Sequence, residues 1–119
     1  MEQPLVLLVE ADLMAQARLG DAVRRLDREI RTTSTPGLME ALLDSDPEVL
    51  VLDLDNGAEE LLSELGKARR AGITPKRVVG YYSHVDVELG DAARAAGCEP
   101  IPRGRFWRAL NEVLAGRGY

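Results

Sequence analysis

VLVLDLDNGAEE, residues 49–60, joins an uninterrupted run of Val and Leu to two aspartates and a glycine. A near-continuous apolar run of this length is typical of a strand that is buried on both faces of a parallel sheet. A carboxylate at the carboxyl end of such a strand does not have to enter the core. The stretch therefore predicts a buried strand over residues 48–54, with Asp53 at its carboxyl end.

Apolar runs and helical patterns alternate along the rest of the chain. Strands are predicted at residues 5–10, 29–35, 48–54, 76–83 and 98–102, and the prolines of the last one favour a sheet edge. Helices are predicted between the strands. The first is indicated by the helical spacing of Leu19, Val23 and Leu26, and the second by Thr35 as its cap and Pro36 as its first residue. The third and fourth cover residues 58–72 and 85–97, and the last carries the apolar stripe Phe106, Leu110, Val113 and Leu114.

This alternation predicts an α/β fold, a (βα)5 doubly wound sheet of five parallel strands with helices on both faces. No repeat or linker divides the sequence, so residues 1–119 are predicted to form a single domain. Ligand sites of such sheets lie at the carboxyl ends of the strands, where the strand order reverses. We therefore expect the functional residues at that edge.

Composition narrows the functional class. The 119 residues are 45% hydrophobic and 29% charged, with a net charge of -5, which argues against an electrostatic nucleic-acid binder. Cys98 is the only cysteine, so no intrachain disulfide can form. The apolar runs are too short to cross a bilayer, and the amino terminus lacks the features of a signal peptide. We expect a cytoplasmic protein that binds neither nucleic acid nor membranes.

Polar residues follow four of the predicted strands. Glu10 and Asp12 follow the first strand, Asp53 ends the third, Ser83 follows the fourth and Arg103 follows the fifth. Carboxylates from two strand ends could hold Mg²⁺, which binds one or two carboxylates and keeps several waters. The predicted metal ligands are Glu10, Asp12 and Asp53.

The segments VLLVEAD, PEVLVLDLDNG, RVVGYYSH and AARAAGCEPIPR resemble, in order and spacing, the receiver domains of the CheY-like response-regulator family. The resemblance covers essentially the whole chain and implies a flavodoxin-like sheet with strand order 2-1-3-4-5. It also implies that Asp53 is the acceptor of phosphate from a histidine kinase, that Ser83 is the switch hydroxyl, and that an acidic pair at Glu10 binds Mg²⁺.

Two of the family's positions depart from the pattern. Ala11 stands where the second acid of the pair is expected, and Asp12 is the next acid along the chain. Arg103 is the nearest match to the family lysine, and the planar guanidinium does not replace a compact ammonium. We therefore predict a non-enzymatic, stand-alone pseudo-receiver of a two-component system with weak or absent Mg²⁺ binding. The alternative is a working response regulator that a histidine kinase phosphorylates on Asp53.

Other interpretations stay open at this stage. A flavin or nucleotide binder would need a phosphate-binding loop after the first strand, which EADLMA does not provide, and a metal-binding module without phosphotransfer rests on few acids.

The expected partner surface, including that of a homodimer, is the face of the fourth helix, fifth strand and fifth helix. Ser83 could instead cap the fourth helix, and His84 reads as a surface residue. Trp107 is expected to be partly exposed and to favour a contact.

Overall fold

The computed structural model describes residues 4–83 and 86–116. Five strands lie in one parallel sheet: β1 (Leu5–Val9), β2 (Glu29–Thr33), β3 (Val49–Asp53), β4 (Val78–Tyr82) and β5 (Glu99–Pro102). The helices of this described part are α1 (Leu13–Arg25), α2 (Leu38–Asp44), α3 (Ala58–Arg70), α4 (Val87–Ala95), α5 (Arg103–Arg108) and α6 (Leu110–Ala115). The strand order is β2-β1-β3-β4-β5, which confirms the predicted fold and topology.

The central strands explain why the apolar runs are continuous. Every residue of β1 and β3 is buried, because helices cover both faces of the sheet. Val49 and Val51 pack into the core on the side of α1, α5 and α6, whereas Leu50 and Leu52 pack on the side of α2, α3 and α4. Burial of one such side chain stabilises the fold by about 1.5–3 kcal/mol.

The edge strands have different sequences for a physical reason. β2 is mostly exposed, as its polar, β-branched composition predicts. β5 contains Pro100 and Pro102 and pairs only with β4, so the prediction of an edge strand is confirmed. Cys98, immediately before β5, is buried.

The start of α2 differs from the prediction. The helix begins at Leu38, and its cap, Gly37, makes no side-chain capping bond. Thr35 lies in the preceding turn, where its backbone N–H donates to the Glu10 carboxylate. The predicted Thr35–Pro36 helix start is wrong, because these residues belong to a turn that the β1 loop stabilises.

Two predicted helices also have different bounds. The apolar stripe Phe106, Leu110, Val113 and Leu114 is buried as predicted. The helix that carries it is interrupted at Ala109, whose backbone leaves the helical region and separates α5 from α6. α4 is capped by the Asp86 side chain, so the alternative role of Ser83 as its cap is wrong.

His84 lies outside the described residues. Within the described part of the chain, no helix combines the length and apolarity that a membrane span needs.

Candidate functional site

The carboxyl ends of β3, β4 and β5 bring three sequence-predicted residues to one edge of the sheet. Asp53 is the last residue of β3, Ser83 directly follows β4, and Arg103 begins α5 directly after β5. Because these strands are neighbours in the sheet, the residues that follow them are neighbours in space. Alternation along β3 turns Asp53 toward the layer of α1, α5 and α6, and only 1% of its side chain is exposed.

The buried carboxylate of Asp53 has three partners. Its Oδ1 accepts a hydrogen bond of 2.9 Å from the backbone N–H of Asp55. Its Oδ2 accepts 3.1 Å from the amide of Asn56 and 3.4 Å from Nη2 of Arg103. The first of these is the local aspartate turn that stabilises the chain as it leaves a strand. Both oxygens of Asp53 are therefore engaged by groups of this chain.

Asp55 links the remaining members of the cluster. Its Oδ1 accepts from the Ser83 N–H at 2.8 Å, and its Oδ2 accepts from the Ser83 hydroxyl at 2.6 Å. The same Oδ2 lies 3.1 Å from Nε and 3.0 Å from Nη2 of Arg103. Arg103 thus bridges two carboxylates, and such charge-assisted contacts are stronger than neutral hydrogen bonds. We call Asp53, Asp55, Asn56, Ser83 and Arg103 the strand-end cluster.

The pKa values of the two carboxylates are shifted in opposite directions. Desolvation by burial raises the pKa of Asp53 above its ordinary value, and the Asp55 N–H and the Arg103 charge only partly oppose that rise. Burial also acts to raise the pKa of Asp55, but hydrogen bonds from Ser83 and Arg103 outweigh it and hold the pKa below the ordinary value. Asp55 is therefore the better-stabilised anion of the pair.

The Tyr81 ring packs against the strand-end cluster on its apolar side. It pairs with Asp53 in the register of β3 and β4, and its ring centroid lies 4.7 Å from that of Phe106. The guanidinium carbon of Arg103 lies 4.8 Å from the Tyr81 ring centroid, a cation–π distance. Among the described residues, no group lies at ordinary hydrogen-bond distance from the buried Tyr81 hydroxyl, and burial, followed by the Asp53 charge and a weaker hydrogen-bonding interaction with Asp53, raises its pKa. Alternation along β4 places Tyr81 and Tyr82 on opposite faces, and Tyr81 is buried in the core while Tyr82 is half-buried.

The predicted metal ligands do not form a common set. Glu10 has a left-handed backbone (φ 61°), and its carboxylate accepts the Thr35 N–H at 2.5 Å. Asp12 caps α1 by accepting the Ala15 N–H at 2.8 Å. Residues 4–83 and 86–116 contain no group of three His, Cys, Asp or Glu side chains placed to hold a metal ion. Glu10 and Asp12 thus accept hydrogen bonds from backbone groups of this chain, and the assignment of Glu10, Asp12 and Asp53 as Mg²⁺ ligands stays a prediction.

Sequence reasoning places Asp55 at this edge without a role and does not identify Asn56. Both lie within three residues of Asp53, in the loop that an aspartate turn shapes. The signal for them was the DLDN spacing, because alternate acids and an amide after a strand favour side-chain bonds to the local backbone. Arg103 lies at the amino end of α5, where the helix dipole disfavours a cation, and its contact with Asp53 offsets that penalty.

The fold is that of CheY-like receiver domains. The chain is similar to a response regulator from Thermotoga maritima at 16% identity, with 96% of each chain covered and a TM-score of 0.79. It is also similar to a CheY-like receiver domain protein from Methanospirillum hungatei JF-1 at 14% identity, with 97% of this chain and 93% of that chain covered and a TM-score of 0.80.

A third similar structure is the receiver domain of a response regulator from Saccharomyces cerevisiae, co-crystallised with a histidine phosphotransfer signaling protein. Its identity is 15%, it covers 98% of this chain and 90% of that chain, and the TM-score is 0.78. No protein-family model matches the chain, and no curated protein matches it. At these identities the likeness establishes the fold, and the function has to be argued from the site.

Proposed function

We propose that this protein is a receiver-like signal-transduction module that acts by protein–protein interaction, and that Arg103 fills the pocket in which Asp53 would otherwise accept phosphate. The observation that carries the proposal is the guanidinium of Arg103 in contact with both Asp53 and Asp55. An arginine stays charged at all relevant pH values, so this cation is permanent. It would have to leave before a phosphoryl group could reach the carboxylate.

Three further features support a weakened pocket. The hydroxyl of Ser83 is bound to Asp55, so it is not free to receive an incoming phosphoryl oxygen. Ala11 supplies no carboxylate beside Glu10, whose own side chain binds the Thr35 backbone. The chemistry of these donors favours a closed internal network over a metal site, and we infer that Mg²⁺ binds weakly or not at all.

The similar structures support a signalling role and a protein partner. They are receiver domains of response regulators, and one of them was crystallised with a histidine phosphotransfer protein. On this basis we infer a signalling protein as the partner, a role without enzymatic turnover, and a cytoplasmic location.

We infer that the face of α4, β5 and α5 serves a partner or a second copy through side chains. Pro100 and Pro102 lack backbone N–H groups, so the β5 edge is a poor template for an added strand. Val87, at the start of α4, is 72% exposed and offers an apolar contact on this face. A homodimer here would rest on helix packing, with no continuous sheet between the copies.

The alternative function is a response regulator that a histidine kinase phosphorylates on Asp53. The observation in its favour is that Asp53 and Ser83 lie at the same sheet edge, with Asp55 between them. Arg103 is 32% exposed, so its side chain has room to leave toward solvent.

Beryllofluoride, a phosphoryl analogue, separates the two functions. Fluorine NMR of the protein with beryllium, fluoride and excess Mg²⁺ should show no protein-bound signal under the proposed function. An Arg103→Lys variant tests whether the guanidinium is the obstacle, and Asp53→Ala is the matched negative control. A strong bound signal in the unmodified protein that Asp53→Ala abolishes would establish the alternative.

A further inference from the structure

A groove between α1 and the α5–α6 segment lies on the side of the sheet toward which Asp53 points. Its volume is about 400 Å³, and it is open to solvent. Its lining includes Arg18 and Arg25 from α1 and Trp107 and Arg108 from α5. We call it the Trp107 groove.

The charge around the Trp107 groove is opposite to that of the whole protein. The lining of the groove carries three arginines and two carboxylates, namely Arg18, Arg25 and Arg108 with Asp21 and Glu112. The chain as a whole has a net charge of -5. Asp21 is already paired with Arg24, which leaves Arg18, Arg25 and Arg108 to dominate the groove. A local positive field on an acidic protein steers a negatively charged partner to one place.

Trp107 gives the groove an apolar anchor. Its indole is half-buried, and the guanidinium carbon of Arg18 lies 4.2 Å from the ring centroid. Trp and Arg are the residues most enriched in the energetically dominant parts of protein interfaces. Arg18 is exposed, so an incoming side chain could displace it from the indole without unfolding anything.

The groove is connected to the strand-end cluster through the ring of Tyr81. Trp107 lies one helical turn after Arg103, and its ring centroid is 5.6 Å from that of Tyr81. Tyr81 in turn lies under the Arg103 guanidinium. A partner that shifts Trp107 therefore acts on a side chain that contacts Arg103.

We infer that the Trp107 groove binds an acidic, amphipathic helical segment of a partner protein. Arginines recognise carboxylates through paired hydrogen bonds, and an apolar residue of the segment would pack on the indole. Asp21 and Glu112 in the lining would repel a uniform polyanion such as nucleic acid but accept the occasional lysine of a peptide. A long polyanion would also meet the acidic remainder of the molecule. The inference extends the protein–protein role proposed above and does not depend on the state of Asp53.

The test uses a synthetic, tryptophan-free helical peptide with glutamates on one face and leucines on the other. Trp107 is the only tryptophan, so its fluorescence reports binding at the groove directly. We expect saturable binding that weakens with added salt. Arg25→Glu combined with Arg108→Glu should weaken it by about tenfold or more. The control, Lys67→Glu with Arg94→Glu on the other side of the sheet, has the same net charge and should change it by less than about twofold.

Several outcomes would overturn the inference. Equal binding by a scrambled peptide of the same composition, or an equal loss of affinity in both charge variants, would show attraction to net charge alone. A DNA duplex that competes for Trp107 with higher affinity would replace the peptide by nucleic acid. Self-association in sedimentation that the groove variants abolish would assign the surface to a second copy. Thermal unfolding of each variant establishes that it is folded, and the beryllofluoride experiment tests the Asp53 pocket separately.

Discussion

The guanidinium of Arg103 lies 3.4 Å from the buried carboxylate of Asp53, although β4 separates β3, which ends at Asp53, from β5, which Arg103 follows. The long side chain of Arg103 spans that gap by crossing the ring of Tyr81, and it contacts Asp55 on the way. A lysine could reach a carboxylate but could not bridge two of them with a planar fork. An arginine in place of a lysine therefore changes what the pocket contains as well as which cation lines it.

The two aspartates of the cluster should change stability with pH in opposite directions. The pKa of Asp53 is raised, so its contribution to stability is fully present below the unfolded pKa of about 3.8 and is lost as pH rises through the folded pKa. The pKa of Asp55 is lowered, so its contribution is present above about 3.8 and is lost as pH falls through the folded pKa. Urea unfolding across the acid range measures both.

The matched variants are Asp53→Asn and Asp55→Asn. As pH rises above about 3.8, the free energy of unfolding of Asp53→Asn should gain on that of the unmodified protein. As pH rises toward about 3.8 from below, that of Asp55→Asn should fall behind it. Parallel pH profiles for the two variants would show that the two carboxylates do not differ in environment.

Removal of the Tyr81 hydroxyl should stabilise the protein or leave its stability unchanged. The side chain is 0% exposed, and its hydroxyl makes no hydrogen bond of ordinary length to a described residue, so its interaction with Asp53 only partly offsets the loss of water. Tyr81→Phe should raise the free energy of unfolding by up to about 1 kcal/mol. Tyr82→Phe, at a half-buried position, is the control, with a change within about 0.5 kcal/mol. A loss of 1 kcal/mol or so in Tyr81→Phe would mean that the hydroxyl donates to Asp53 in solution.

The strands could be predicted because their patterns have a single physical explanation. The run of Val and Leu before Asp53 is explained by a strand covered on both faces. The other strands were predicted from the same alternation of apolar runs and helical patterns along the chain. The start of α2 could not be predicted in this way, because the Thr35 N–H bonds to Glu10, a residue on another loop. Local propensity contains no information about such a long-range competitor.

The site was predictable in position and only partly in contacts. The strand ends located Asp53, Ser83 and Arg103, and the fold brought them together. The direction of the Glu10 side chain depends on one left-handed residue, and the bridging role of Asp55 depends on the turn after β3. Backbone angles of single loop residues are set by the assembled structure, so a one-dimensional pattern cannot supply them.

Gly80 should be sensitive to a single added methyl group. An added Cβ would lie 2.6 Å from Cδ1 of Leu54 and 2.9 Å from Sγ of Cys98, both of which are buried. Gly80→Ala should lower the free energy of unfolding by about 1–3 kcal/mol through overpacking. Gly104→Ala is the matched control, since an added Cβ there meets nothing within 4 Å and alanine favours the helix. It should gain about 0.5 kcal/mol, and equal losses at both positions would contradict the packing described for β4.

The most direct test of the central claim is a double-mutant cycle between Arg103 and Asp53. The free energy of unfolding is measured by urea denaturation at neutral pH for the unmodified protein, Arg103→Gln, Asp53→Asn and the double variant. If the guanidinium occupies the Asp53 pocket, the two side chains should be coupled favourably by about 1 kcal/mol, with partial exposure of Arg103 limiting the value. Additive effects, with a coupling within about 0.3 kcal/mol of zero, would show that Arg103 does not hold Asp53.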